Sequence, residues 1–320
     1  MRNAYRLAIL LLGVVVASAM ALAQTSSPHV VLTTLQATYS ITSALADGTT
    51  IRVVNVPSQG AVMDSQAFAL TRVDDAIFKQ AEAVVSIGKL WRDDPLYAAA
   101  RARNLHIINI DAAYPWDPKE AGVSVIRKPV NTVPWGINKD EADPGLSRYV
   151  WLSPTNVTRM AELVAADLMR LSPVDKARVQ ANLNNFTTSM RQLSAEYGAK
   201  FAALPDPRLM SLADEFVYLM SDLGVFVDGW FIKQDVNWSD TDYTALTDYL
   251  KSHAIRVVVH KWQPDEKIAA AIAKAGAKLV VLDAGDPGAA AATGALLPLG
   301  YQSLMRKNMD LLLAAFPVND

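Results

Sequence analysis

The chain has 320 residues, a formal net charge of −2, 51% hydrophobic and 19% charged residues, and no cysteine. This balance excludes a disordered chain, and with no clustered basic run it speaks against nucleic-acid binding. The missing cysteines rule out disulfides, thiolate metal sites and thiol nucleophiles together, while the length is enough for two domains of roughly 130 residues each.

The N-terminus carries Arg2 and Arg6, an apolar run from Leu7 to Val16, and the small residues Ala21-Leu22-Ala23 before Gln24. That is the three-part pattern of a secretory signal peptide, read as residues 1–23 with cleavage near Ala23. The apolar run falls short of the roughly 20 residues a bilayer span needs, and later runs are interrupted by charges, so no membrane span is expected in the mature chain. With no cysteine at the cleavage site to carry a lipid, the expected location is the periplasm, and the expected state is a monomer.

After the signal peptide, short β-branched runs alternate with helical patterns, the mark of parallel sheets wound with helices. The first half gives strands at Val30–Thr34, Ile51–Val56, Ala83–Ile87 and His106–Ile110, with helices at Thr38–Ala46, Val73–Gln80 and Pro95–Asn104. Residues 111–147 hold Pro115, Pro118, Pro129, Pro134 and Pro144 and read as a long irregular loop, a kind of segment that is often functional. Ser153-Pro154 opens a helical stretch, Ser172-Pro173 permits a break within it, and Val179, Leu183, Phe186, Met190, Leu193, Tyr197 and Phe201 then recur at helical spacing. Those positions predict one face of a helix about 45 Å long, stopped by Pro205 and Pro207.

The second half repeats the winding. Its strands are Arg208–Leu212, Gly224–Val227, Arg256–His260 and Lys278–Leu282, and its helices fall near Glu215–Ser221, Asp240–His253, Pro264–Ala275 and Gln302–Ala315. The expected fold is therefore α/β: two Rossmann-like lobes, each with a parallel sheet of about four strands, at 24–147 and 206–320, joined by a helical segment at 148–205. Hinged enzymes normally cross several times between lobes, because catalysis often requires closure. A single stiff connection favours a capture protein.

Three segments carry a resemblance: Tyr149-Val150-Trp151-Leu152-Ser153-Pro154 with the helix after it, Asp214-Glu215-Phe216-Val217-Tyr218 with Gly224, and Ala275-Gly276-Ala277-Lys278-Leu279-Val280-Val281-Leu282-Asp283. On these the chain resembles, over residues 28–316, the zinc and manganese solute-binding proteins of bacterial ABC transporters. The resemblance implies a metal ion held between the lobes by histidines and carboxylates, and delivery to an ABC transporter permease. The family's first histidine falls near Gln66, with Asp64 beside it; the second falls on Tyr149; the third falls on Ala213, next to Asp214. The fourth ligand, an aspartate, is matched by Asp283, so one ligand of four survives in kind. The family's histidine-rich loop is reduced to Pro57-Ser58-Gln59-Gly60.

The residues on these segments favour oxygen chemistry. Only His29, His106, His253 and His260 are available as nitrogen donors, whereas zinc prefers nitrogen and sulfur. His260, at the end of a second-lobe strand, is the histidine best placed to reach the cleft. Asp64, Gln66, Tyr149, Asp214, Glu215, Asp283 and Asp286 offer oxygens, which suit manganese, iron or another hard cation. Bland readings stand beside these. Asp214 also reads as a helix N-cap with Glu215 in the first turn, and Asp283 as the head of a turn. Trp151 reads as core, and Trp116 and Trp135 as candidates for the rim of a site for a chelate or small organic ligand. A partner module that has lost the metal site is the remaining alternative. No Gly-x-Ser-x-Gly elbow, His-Glu-x-x-His helix or P-loop occurs, so no enzyme is expected.

Overall fold

The computed structural model describes residues 28–58, 63–137, 143–286 and 300–317; the signal-peptide segment lies outside them. Two four-stranded, all-parallel sheets form the two lobes. The first contains β1 (His29–Thr33), β2 (Ile51–Asn55), β3 (Ala83–Ser86) and β4 (Ile108–Asp111) in the order β2-β1-β3-β4. The second contains β5 (Arg208–Ser211), β6 (Phe226–Trp230), β7 (Val257–His260) and β8 (Lys278–Val281) in the matching order β6-β5-β7-β8. Central strands are covered on both faces, which is why β3 (Ala-Val-Val-Ser) and β7 (Val-Val-Val-His) are buried at every position rather than alternating. In both sheets the order reverses beside the first strand, which opens a crevice at the carboxyl ends of the strands.

Around the first sheet lie α1 (Gln36–Ala46), α2 (Gln66–Leu70), α3 (Asp75–Gln80) and α4 (Pro95–Arg101). The connection follows as α5 (Pro154–Leu171) and α6 (Lys176–Ala202), and the second lobe adds α7 (Val217–Leu223), α8 (Asp240–Ser252), α9 (Glu266–Lys274) and α10 (Gly300–Leu313). Ser153 caps α5 by accepting the amide of Asn156, with Pro154 in the first turn, as the motif predicts. At Ser172-Pro173 the helical stretch reverses: α5 and α6 pack along one another, and α6 alone, 27 residues long, runs from the first lobe to the second. Val179, Met190, Leu193, Tyr197 and Phe201 are buried on its face, while Leu183 and Phe186 are half-buried.

The two ends of α6 are fixed differently. At its start, Asn182 Nδ2 donates to the carbonyls of Leu45 and Asp47 at 2.9 and 2.8 Å, satisfying the orphan C-terminal groups of α1. Near its end, Tyr197 donates to Asp310, and Arg306 pairs with Glu196 at 3.0 Å, so α10 is clamped to the connector and also rests on α1. Among the described residues no helix is long and apolar enough to cross a membrane.

The proline-rich loop is irregular, as expected, but it does not stay on the first lobe. Val133 is fully buried in the core of the second lobe, and the Thr132 amide donates to the Trp230 carbonyl at 3.0 Å. Trp135, expected at a cleft rim, instead packs on Phe231 and Tyr249 with ring centroids 5.4 and 5.3 Å away. Gly136 makes this approach feasible, because a Cβ there would stand 2.8 Å from the Phe231 ring. Trp116 is the exposed tryptophan of the loop, at 70%.

Candidate functional site

The segment opening the connector is the joint of the molecule. Trp151 is fully buried, and its indole N–H donates to the Ala284 carbonyl at 2.8 Å, tying the connector to the turn after β8. Its own carbonyl accepts the Tyr301 hydroxyl at 2.7 Å. Ser153 Oγ and the Thr155 amide both donate to Asp222 of α7, at 2.7 and 3.1 Å. Tyr218 of α7 reaches the first lobe: its hydroxyl accepts from the Ile126 amide and donates to the Ser147 carbonyl, both at 3.0 Å. Aromatic, hydroxyl and carboxylate groups from both lobes thus hold the backbone around Tyr149 in place. Neither Asp222 nor Tyr218 stands out in the sequence as a functional residue.

Tyr149 itself is half-buried, with its ring 5.1 Å from that of Trp151. Burial pushes its phenol well above the ordinary range, and Glu215, Asp286 and Asp214 push it further, against a smaller opposing effect of Arg148. All three acids belong to the second lobe, and two of them, Asp214 and Asp286, also make contacts across the lobe junction. Glu215 is 2% exposed, and burial with the neighbouring Asp214 charge raises its carboxyl above the usual range, opposed by Lys261. Its Oε1 accepts from the Lys261 ammonium, while Oε2 is buried and finds no hydrogen-bond partner among the described residues. Asp214 pairs with Lys128 of the proline-rich loop at 2.9 Å, across the lobes. Asp286 also bridges the lobes, accepting the Met63 amide at 2.9 Å.

The remaining candidates stand apart or are already committed. Gln66 is fully buried and its amide nitrogen approaches the Thr34 carbonyl at 3.4 Å. Asp64 falls in the turn Met63–Ser65, but its side chain lies outside the described residues. Asp283 heads a turn, accepting the Gly285 amide at 2.9 Å, and its main chain is held by Asn308 on both sides; Gly285 has φ +69°, a conformation natural to glycine. His260 is 2% exposed. Its Nδ1 accepts the Lys261 amide at 2.8 Å, which leaves Nε2 as the donor to Asp235 at 3.2 Å. Burial lowers its pKa despite that carboxylate. A neutral imidazole with both nitrogens engaged has no lone pair to offer a metal.

Among the described residues no three His, Asp or Glu side chains stand close enough together to hold a metal ion. Chemically, the junction presents a phenol and carboxylates from the second lobe, with two ammonium groups, Lys128 and Lys261, seated on two of the acids. The two lysines thus offset the charges of Asp214 and Glu215. Neither pairing is visible in the sequence, because each lysine's partner is distant along the chain; the local signal is that Lys261 follows His260 at a strand end, where successive side chains diverge.

The comparisons agree with this architecture. Residues 31–315 match the family described as ZnuA, zinc-uptake complex component A periplasmic. A putative metal-binding protein of Treponema pallidum is 26% identical over 129 residues, covering 39% of this chain and 40% of that relative. Among solved structures, a mutant of FpvC from Pseudomonas aeruginosa superposes with a TM-score of 0.70 at 19% identity, covering 90% of this chain and 98% of that one. A zinc-bound ZnuA deletion mutant gives 0.64 at 22% identity, covering 92% and 100%. A manganese-bound periplasmic metal-binding protein from Candidatus Liberibacter asiaticus gives 0.66 at 16% identity, covering 90% and 100%. At these identities the structures share the fold, and the match along nearly the whole sequence carries the membership: the chain belongs to the ZnuA family of periplasmic zinc-uptake components.

Proposed function

We propose that the protein is a periplasmic solute-binding receptor, not an enzyme, that delivers a metal to an ABC transporter permease, holding it as a hard cation or within a metal-containing ligand between its lobes. The observation supporting this reading is that second-lobe carboxylates reach across the junction, Asp214 to Lys128 and Asp286 to the Met63 amide, beside the buried Glu215 and the half-buried Tyr149. Proteins of similar fold are seen with zinc, manganese, nickel or cadmium bound. Here oxygen donors replace histidines, which shifts preference toward manganese, iron or another hard cation over zinc. Calorimetry of the mature protein against zinc, manganese, ferric iron and a lanthanide tests it: binding of a hard cation that Glu215→Gln abolishes supports the oxygen-donor cleft, and tight zinc binding indifferent to Glu215 sinks it.

The lysine pairs favour the second form of the cargo. A bare ion must displace Lys128 from Asp214 and Lys261 from Glu215, whereas a cargo that brings its own ligands leaves both pairs in place. Absence of heat with every bare ion, together with binding of a chelate, is the outcome specific to this form.

A further inference from the structure

Beside Tyr149 lies a groove of about 540 Å³ whose lining has a strong charge bias. Lys89, Arg92, Lys128 and Arg148 face it with Asp93 as the one carboxylate, although the whole chain is slightly acidic at −2. The bias is therefore local. Its scaffold is built rather than incidental: the backbone runs through Arg127 and Leu146 as an antiparallel bridge, Lys128 N–H donates to the Gly145 carbonyl at 2.9 Å, and Ser147 N–H donates to Ile126 at 2.9 Å. Tyr218 pins both sides of that bridge from the second lobe.

The cations differ in what holds them. Lys128 is paired with Asp214, and Lys89 donates to the Pro115 carbonyl at 3.3 Å. Among the described residues neither Arg92 nor Arg148 forms an ion pair. Arg148 lies 5.9 Å over the ring of Trp91, which is 3% exposed and forms part of the wall. A guanidinium beside an aromatic ring, with no acid paired to it, keeps N–H groups available for two-point recognition of a carboxylate. The volume suits a small molecule rather than a naked ion.

We propose that this groove is a cradle for a small polycarboxylate, metal-free or as its metal chelate, held by Arg92 and Arg148 with Lys89 and Lys128 at the rim. The inference rests on the interlobe reading for its relation to the cargo: Lys128 belongs to both places, so a chelate in the groove sits beside the Lys128–Asp214 pair. It completes the charge count that the cleft leaves open. Asp214 and Glu215 there are already paired with lysines, while among the described residues Arg92 and Arg148 are in no ion pair.

Calorimetry of the mature protein with three probes, trisodium citrate, ferric citrate and manganese chloride, tests it. Citrate and ferric citrate are expected to bind. The double variant Arg92→Ala/Arg148→Ala should weaken both by at least about tenfold, since each charge-assisted pair is worth that much in affinity. Arg148→Lys, which keeps the charge and the fold but loses the planar fork, should weaken them less. Ferric citrate binding more tightly than citrate identifies the chelate as the source, and equal binding identifies the free polycarboxylate; both support the cradle. No heat with either anion, or anion binding unchanged in the double variant, overturns it. The manganese arm separates the two ideas, because manganese heat lost in Glu215→Gln but kept in Arg92→Ala/Arg148→Ala reports the cleft alone.

Discussion

Replacing Lys261 by methionine removes the ammonium from Glu215 while keeping most of the apolar stem, and the loss should depend on pH in a defined way. Glu215 is almost fully buried, with one oxygen on Lys261 and the other without a partner among the described residues. Breaking a buried pair from one side costs about 3–5 kcal/mol, and the Lys261 side chain is 31% exposed, which points to the lower end. Linkage gives the sign of its pH dependence. Burial and Asp214 already raise the folded carboxyl above its free value of 4.5, and removing Lys261 removes the main influence that lowers it. A raised folded pKa means that the stability is fully present below pH 4.5 and is lost as pH rises. Each pH unit above 4.5 over which folded Glu215 keeps its proton costs about 1.4 kcal/mol. The variant's deficit relative to wild type should therefore be larger at pH 7 than at pH 5. Urea melts at the two pH values measure this. An equal deficit at both, or none at pH 7, refutes the account of Glu215 as a buried acid dependent on Lys261.

Other outcomes follow from the same geometry. Asp94 caps α4 at Leu96, and burial, together with the charge of Asp111, raises its carboxyl to about 6; its stabilising neutral form is therefore lost as pH rises through 6. Asp94→Asn keeps the cap acceptor and should be more stable than wild type by about 1–3 kcal/mol at pH 7.5 but not at pH 4, read by thermal denaturation. Trp151→Ala should cost about 3–5 kcal/mol through the cavity it leaves and the released Ala284 carbonyl, measured by urea melts. Tyr218→Phe leaves the Ile126 amide and the Ser147 carbonyl without their shared partner, a loss of about 1–3 kcal/mol, and hydrogen exchange at residues 126–128 and 145–148 should rise.

Much of the fold was readable because its central strands are buried on both faces. β1, β3 and β7 are short uninterrupted apolar runs, and Ser153-Pro154 announces a helix start through local capping chemistry. Edges were harder. β6 was expected from Gly224 to Val227 but runs from Phe226 to Trp230: Gly224 is spent ending α7 at φ +65°, and the strand is prolonged by pairing with Thr132 from the distant loop. The landing of Val133 and Trp135 on the second lobe depends on Phe231 and Tyr249, which nothing near them in sequence reveals. At the candidate site, Tyr149, Asp214 and Glu215 were expected from the family-like segments; in the structure Tyr149 is half-buried, Glu215 is buried against Lys261, and Asp214, like Asp286, makes a contact across the lobe junction. His260 pointed to the cleft by its strand-end position, yet Asp235 and the Lys261 amide use both of its nitrogens. Ion pairs such as Lys128–Asp214 arise only when separate lobes meet, so periodicity cannot show them.

The most direct test of the interlobe account is anomalous scattering from crystals of the mature protein soaked separately with manganese chloride and with ferric citrate. A metal peak at the lobe junction, within reach of Tyr149, Asp214 or Glu215 or in the adjoining groove against Arg148, is the predicted result. A peak at His260 or on the outer face of either lobe, with the junction empty in both soaks, would contradict it.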